Sequence, residues 1–127
     1  DWLKRTGGLI YLPETRPDCM IYRLWHEGAE LRKDCAGIPY PQGEEASKPP
    51  AMVVAPCVGY AESCRRLGYG GGYFDRYLAS YGNQRPLAVG VAFDELRVPE
   101  EIFESFDEPL DAVVTERRII LKATAPL

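Results

Sequence analysis

The stretch Arg65-Arg66-Leu67-Gly68-Tyr69-Gly70-Gly71-Gly72-Tyr73-Phe74-Asp75-Arg76 gathers the residue types that hold an anion. Glycines let a backbone come close to phosphate oxygens and turn N–H groups toward them. Gly68, Gly70, Gly71, Gly72 and Tyr73 are the expected phosphate-binding positions. A helix opening at Tyr73 adds unpaired N–H donors and a partial positive charge. That dipole contributes about 0.3–1 kcal/mol, rising to about 2 in partly buried geometry, which is too little to hold a nucleotide. A guanidinium must add to it. Arg66 is best placed, because its planar fork can meet two phosphate oxygens at once. Asp75 falls in the first helical turn, where an acid would repel bound phosphates unless a divalent cation intervenes. Mg²⁺ commonly binds through a carboxylate or two plus substrate phosphates, so Asp75 is the candidate ligand. The alternative is an acid that only stabilises the helix start.

Spacing alone is a weak signal here. No Lys-Ser/Thr follows the glycines, so this is no Walker A loop. Tyr73 stands where a GxGxxG pattern needs its third glycine. A tight structural turn fits the same letters.

The surrounding elements bear on the choice. Met52 to Pro56 is an unbroken apolar run that suits a strand buried on both faces of a parallel sheet. The glycine-rich turn follows it. Tyr73 to Tyr81 then reads as a helix, with Tyr73, Phe74, Tyr77, Leu78 and Tyr81 on one face and Gly82 as its stop. Pro86 to Phe93 is a second buried strand and Leu110 to Thr115 a final one. Upstream, Leu9 to Leu12 is a short strand stopped by Pro13, and Met20 to Trp25 is another. Gly37 to Pro41 is a rigid extended connection, Gln42 to Pro50 a surface loop, and Pro99 to Phe103 one helical turn. Strands alternating with helices predict a single α/β domain over residues 1–127, three-layer and Rossmann-like, with a mainly parallel sheet flanked by helices.

Composition narrows the function. A net charge of −4 and a pI near 5.0 argue against nucleic acid as a partner. No apolar run approaches the ~20 residues of a membrane span, and no signal peptide is evident. The four cysteines form no CxxC spacing and read as free thiols of a cytoplasmic protein. Cys64, beside Arg65 and Arg66, could carry a lowered thiol pKa or be an inert thiol. His26 is the only histidine and reads as a solvated loop residue. The acidic stretch Glu95 to Glu108 reads as a solvated face.

The run Arg66 to Arg76 resembles the signature of the 5-formyltetrahydrofolate cyclo-ligases, also called methenyltetrahydrofolate synthetases. Gly37-Ile38-Pro39, Val53-Val54-Ala55-Pro56 with Gly59, Arg85 to Phe93 and Asp107 to Glu116 resemble further family segments in order and spacing. The resemblance spans residues 9 to 120 and corresponds to the C-terminal two-thirds of the family, without its N-terminal helical region. It implies ATP- and Mg²⁺-dependent closure of 5-formyltetrahydrofolate to 5,10-methenyltetrahydrofolate, with ADP and phosphate released. It also implies Arg66 as the catalytic cation, Tyr73 and Phe74 as residues lining the substrate, and Trp25 as a flat surface for the pteridine. A truncated chain that binds nucleotide or folate without turnover, or self-associates as a homodimer, is the alternative. Four positions depart from the family pattern. Tyr60-Ala61 replaces an aromatic-Asp pair, Cys64 replaces a glycine, Tyr40 a glutamate and Phe106 a histidine.

Overall fold

The computed structural model describes residues 8–68, 72–104 and 107–123. The chain divides into two compact units, residues 1–50 with 73–85, and residues 51–72 with 86–127.

The first unit begins with an antiparallel hairpin of β1 (Ile10–Thr15) and β2 (Met20–Trp25), with Ile10 opposite Trp25 and Thr15 opposite Met20. Pro13, expected to stop the first strand, lies inside it opposite Tyr22. A two-stranded ribbon leaves one side of each strand without ladder partners, and there a missing N–H is tolerated. Part of the expected loop at 42–50 runs beside β2: the Leu24 N–H donates to the Glu44 carbonyl and the Ala46 N–H to the Tyr22 carbonyl, both at 2.9 Å. A second hairpin joins β3 (Leu31–Lys33) to β4 (Pro39–Pro41). Asp34 organises its turn by accepting the N–H groups of Ala36 and Ile38, and it accepts the Thr15 N–H as well.

The helix α1 (Tyr73–Ala79) belongs to this unit and ends two residues before Tyr81. A 3₁₀ turn at Gly82–Gln84 follows, and Gly82 takes the left-handed φ of 55° that a stop residue needs. Leu78 is buried, and the Tyr77 ring packs 4.9 Å from that of Tyr22 and 5.3 Å from that of Tyr81. The buried Tyr22 hydroxyl has no hydrogen-bond partner among the described residues. An unpaired buried hydroxyl costs about 1–3 kcal/mol. Tyr22→Phe is therefore expected to stabilise the chain by about 1 kcal/mol in denaturant titration.

In the second unit, β5 (Met52–Pro56) leads into a ribbon of two short strands, β6 (Gly59–Tyr60) and β7 (Arg66–Leu67). The main sheet adds β8 (Leu87–Val91), β9 (Ala112–Val114) and β10 (Ile119–Leu121), in the order β10-β9-β8-β5. β5 pairs parallel with β8 and β8 with β9, while β10 closes the edge antiparallel. The α/β class with a mainly parallel sheet is thus present.

The register sorts the strands into two faces. Val53, Ala55, Ala88, Gly90, Val113 and Ile120 face a buried core with Leu110. Met52, Val54, Leu87, Val91, Ile119 and Leu121 lie on the other face and are 45% to 72% exposed. The expectation that β5 and β8 are buried on both faces is therefore corrected. Their burial alternates, because an unbroken apolar run shows what a face can pack against and not that a cover is present.

Candidate functional site

Arg66 reaches its position by a local detour of the chain. After β5 the backbone turns through β6 and a tight loop in which the Cys64 N–H donates to the Ala61 carbonyl, then returns as β7. The pairing of Tyr60 with Arg66 carries the arginine back to the carboxyl end of β5. There its Nη2 donates to the Pro56 carbonyl oxygen at 2.9 Å. The carboxyl ends of parallel strands are where open α/β sheets bind their ligands. The guanidinium lies against Gly68, where a Cβ would fall 2.7 Å from Nη2 and 3.2 Å from both Nη1 and the central carbon. The neighbouring Cys57 thiol is buried, and burial pushes its pKa up while the Arg66 charge pulls the other way.

Gly72 has a φ of 68°, in the left-handed region where a side chain is strained, so the turn into the helix requires glycine there. Gly70 and Gly71 lie outside the described residues. Arg66, Gly68 and Gly72 belong to the second unit, and Tyr73, Phe74 and Asp75 to the first, with the Gly72–Tyr73 peptide bond joining them. Asp75 is exposed in the first helical turn, Tyr73 and Phe74 are half-buried, and the Arg76 guanidinium stands 4.8 Å over the Tyr73 ring. Trp25 is half-buried at the end of β2. Among the described residues no group of three or more His, Cys, Asp or Glu side chains could hold a metal ion by itself. A cation at Asp75 would therefore complete its shell with ligand oxygens and water, which suits Mg²⁺.

Of the two readings of Cys64, the inert thiol is the one the structure supports. The side chain is fully buried, its Sγ–H donates to the Ile120 carbonyl, and burial pushes its pKa up. Arg65 turns to the Asp107 carbonyl instead. Cys64 also holds a φ of 71°, which gives a physical reason why a glycine suits this position.

One cluster had no counterpart in the sequence reading. Arg118 donates from Nη2 to Glu62 at 2.8 Å and to the Tyr60 hydroxyl at 3.2 Å, and from Nε to Asp94 at 2.9 Å. Thr115 donates to the same Asp94 oxygen, Tyr60 donates to the Asp94 carbonyl, and Arg97 pairs with Glu62. This network ties the segments after β8 and β9 to the β6–β7 ribbon that carries Arg66. The sequence hint was the departure at Tyr60-Ala61, where Ala61 stands in place of the acid of an aromatic-Asp pair. Hydrogen bonds from Arg118 hold the Glu62 and Asp94 carboxyls below their ordinary range. A carboxyl whose folded pKa is lowered contributes stability above its unfolded value, about 4, and loses it as pH falls through the folded value. The acid unfolding midpoint is therefore expected to move to higher pH in Asp94→Asn, read by circular dichroism during acid titration.

Comparison with known proteins places this arrangement. A sequence profile of the 5-formyltetrahydrofolate cyclo-ligase family matches residues 1–116. The 5-formyltetrahydrofolate cyclo-ligase of Escherichia coli K12 is 31% identical over 124 residues, covering 92% of this chain and 68% of that protein. A probable 5-formyltetrahydrofolate cyclo-ligase of Schizosaccharomyces pombe is 27% identical over 115 residues, covering 79% of this chain and 56% of that protein. Among solved structures, the 5,10-methenyltetrahydrofolate synthetase of Aquifex aeolicus superposes with a TM-score of 0.74 at 26% identity, covering 98% of this chain and 67% of that one.

Proposed function

The chain belongs to the 5-formyltetrahydrofolate cyclo-ligase family, and from that premise we propose that residues 1–127 act as one cyclo-ligase domain that closes 5-formyltetrahydrofolate to 5,10-methenyltetrahydrofolate at the expense of ATP, with Mg²⁺. The observation that carries this reading is Arg66, held at the carboxyl end of the β5–β8 parallel pair directly before the glycine-rich turn.

In the proposed reaction the formyl oxygen attacks the terminal phosphorus of ATP and ADP leaves. N10 then attacks the activated formyl carbon and gives up its proton. Phosphate departs with the former formyl oxygen as the ring closes. Such chemistry asks a protein for positioning and for charge stabilisation. Arg66 meets the negative charge that builds on the phosphoryl oxygens. The backbone from Gly68 to Tyr73 supplies N–H donors without side chains in the way. Asp75 holds the cation, which neutralises phosphate charge when bound. Tyr73, Phe74 and Trp25 offer aromatic surface to the substrate. The four free cysteines suit a reducing cytoplasm.

The test is growth of the methenyl product's near-ultraviolet absorbance from 5-formyltetrahydrofolate, ATP and Mg²⁺, run beside calorimetry with ATP–Mg²⁺. Turnover supports the reading. Heat without turnover leaves a nucleotide-binding module, and neither signal rejects the site. The exposed apolar sheet face favours a second property, self-association. A chain that sediments as a monomer at every concentration rules that out.

A further inference from the structure

Two different needs can put a glycine at position 68. One is room for a phosphate to approach the backbone. The other is room for a side chain of the protein itself. Chain neighbours aside, the three atoms nearest a Cβ built at Gly68 all belong to the Arg66 guanidinium, with Nη2 at 2.7 Å and Nη1 and the central carbon at 3.2 Å. Gly68 is not in the left-handed region, so its backbone alone does not demand glycine.

We infer that Gly68 is a positioning residue for Arg66: it lacks a side chain so that the guanidinium can lie across it while Nη2 is held by the Pro56 carbonyl. A second glycine supports the same arrangement from behind. A Cβ at Gly90 would fall 2.7 Å from the Cys57 sulfur and 2.8 Å from Leu110 Cδ1, so Gly90 gives Cys57 its place in the core directly after Pro56. The arginine is thereby bounded by Gly68, two residues further along the chain, and by the strand end it returns to. Its fork is set before any ligand arrives, which lowers the ordering cost of binding. An alanine at position 68 would displace only the tip of a flexible side chain. It should spare the fold and move the guanidinium.

The inference rests on the proposed role of Arg66 in binding ATP, and a double-mutant cycle separates the two. ATP–Mg²⁺ affinity is measured for the wild-type chain, Gly68→Ala, Arg66→Ala and the double variant, with circular dichroism confirming each fold. The expected result is about a tenfold to hundredfold loss for Gly68→Ala, the scale of one misplaced charge-assisted hydrogen bond, and no further loss when it is added to Arg66→Ala. If Gly68→Ala costs the same in both backgrounds, the room belongs to the phosphate and the inference fails. If Gly68→Ala binds like wild type, it fails as well. If Arg66→Ala leaves affinity unchanged, the reading of the site fails instead. Ligand-free NMR gives an independent check. The Arg66 Nε resonance, assigned by its loss in Arg66→Ala, should shift in Gly68→Ala while most backbone amides stay in place, and an unmoved resonance overturns the inference.

Discussion

Arg66→Ala is expected to lower ATP-dependent product formation by a factor on the order of 10²–10³, the usual cost of removing one group aimed at developing charge. The chain should keep its fold, because the residue is only half-buried and sits in a strand of two residues. Arg66→Lys should fall between the two, since an ammonium keeps the charge and loses the two-pronged geometry. Steady-state turnover and denaturant titration on the same preparations check both halves of the expectation. A loss of activity that tracks a loss of stability would remove Arg66 from the reaction.

The largest stability effect is expected at Gly43. A Cβ there would overlap the Leu24 carbonyl oxygen and crowd Leu24 Cβ. The obstacle is mainly backbone, so no rotamer change relieves it. Gly43→Ala should push the 43–46 segment off β2, endangering the Leu24–Glu44 and Ala46–Tyr22 hydrogen bonds and the one from Arg23 Nη1 to the Gly43 carbonyl. Hydrogen bonds of this kind are each worth about 1 kcal/mol and overpacking adds about 1–3, so a loss of at least about 2 kcal/mol is expected. Equilibrium unfolding in urea measures it. A midpoint like that of the parent chain would show that this segment can detach at no cost.

What the sequence revealed depended on whether the signal was local. β5, β8 and β9 were legible because short apolar runs rich in valine have few other uses. Arg66 stood out as a candidate because an arginine beside a glycine-rich turn suits an anion. β3 was not, since Leu31, Arg32 and Lys33 are all exposed and carry no alternation. Nor was β10, three residues directly behind Arg117 and Arg118. The Arg118 network was hidden for a different reason. Its members lie up to 58 positions apart, and polar pairings at that range leave no period along the chain. The role of Gly68 was half visible. Its need for space could be read, but which atoms fill that space depends on where β7 returns the arginine.

The exposed apolar residues on one side of the main sheet bear on how this chain can be assayed. A dye that brightens against oily surfaces would find Val54, Leu87 and Leu121 before any heating begins. Its signal would start high, and a melt followed that way would be easily mistaken for a sample already unfolded at room temperature. Far-ultraviolet ellipticity or intrinsic tyrosine and tryptophan emission sees the transition without that background.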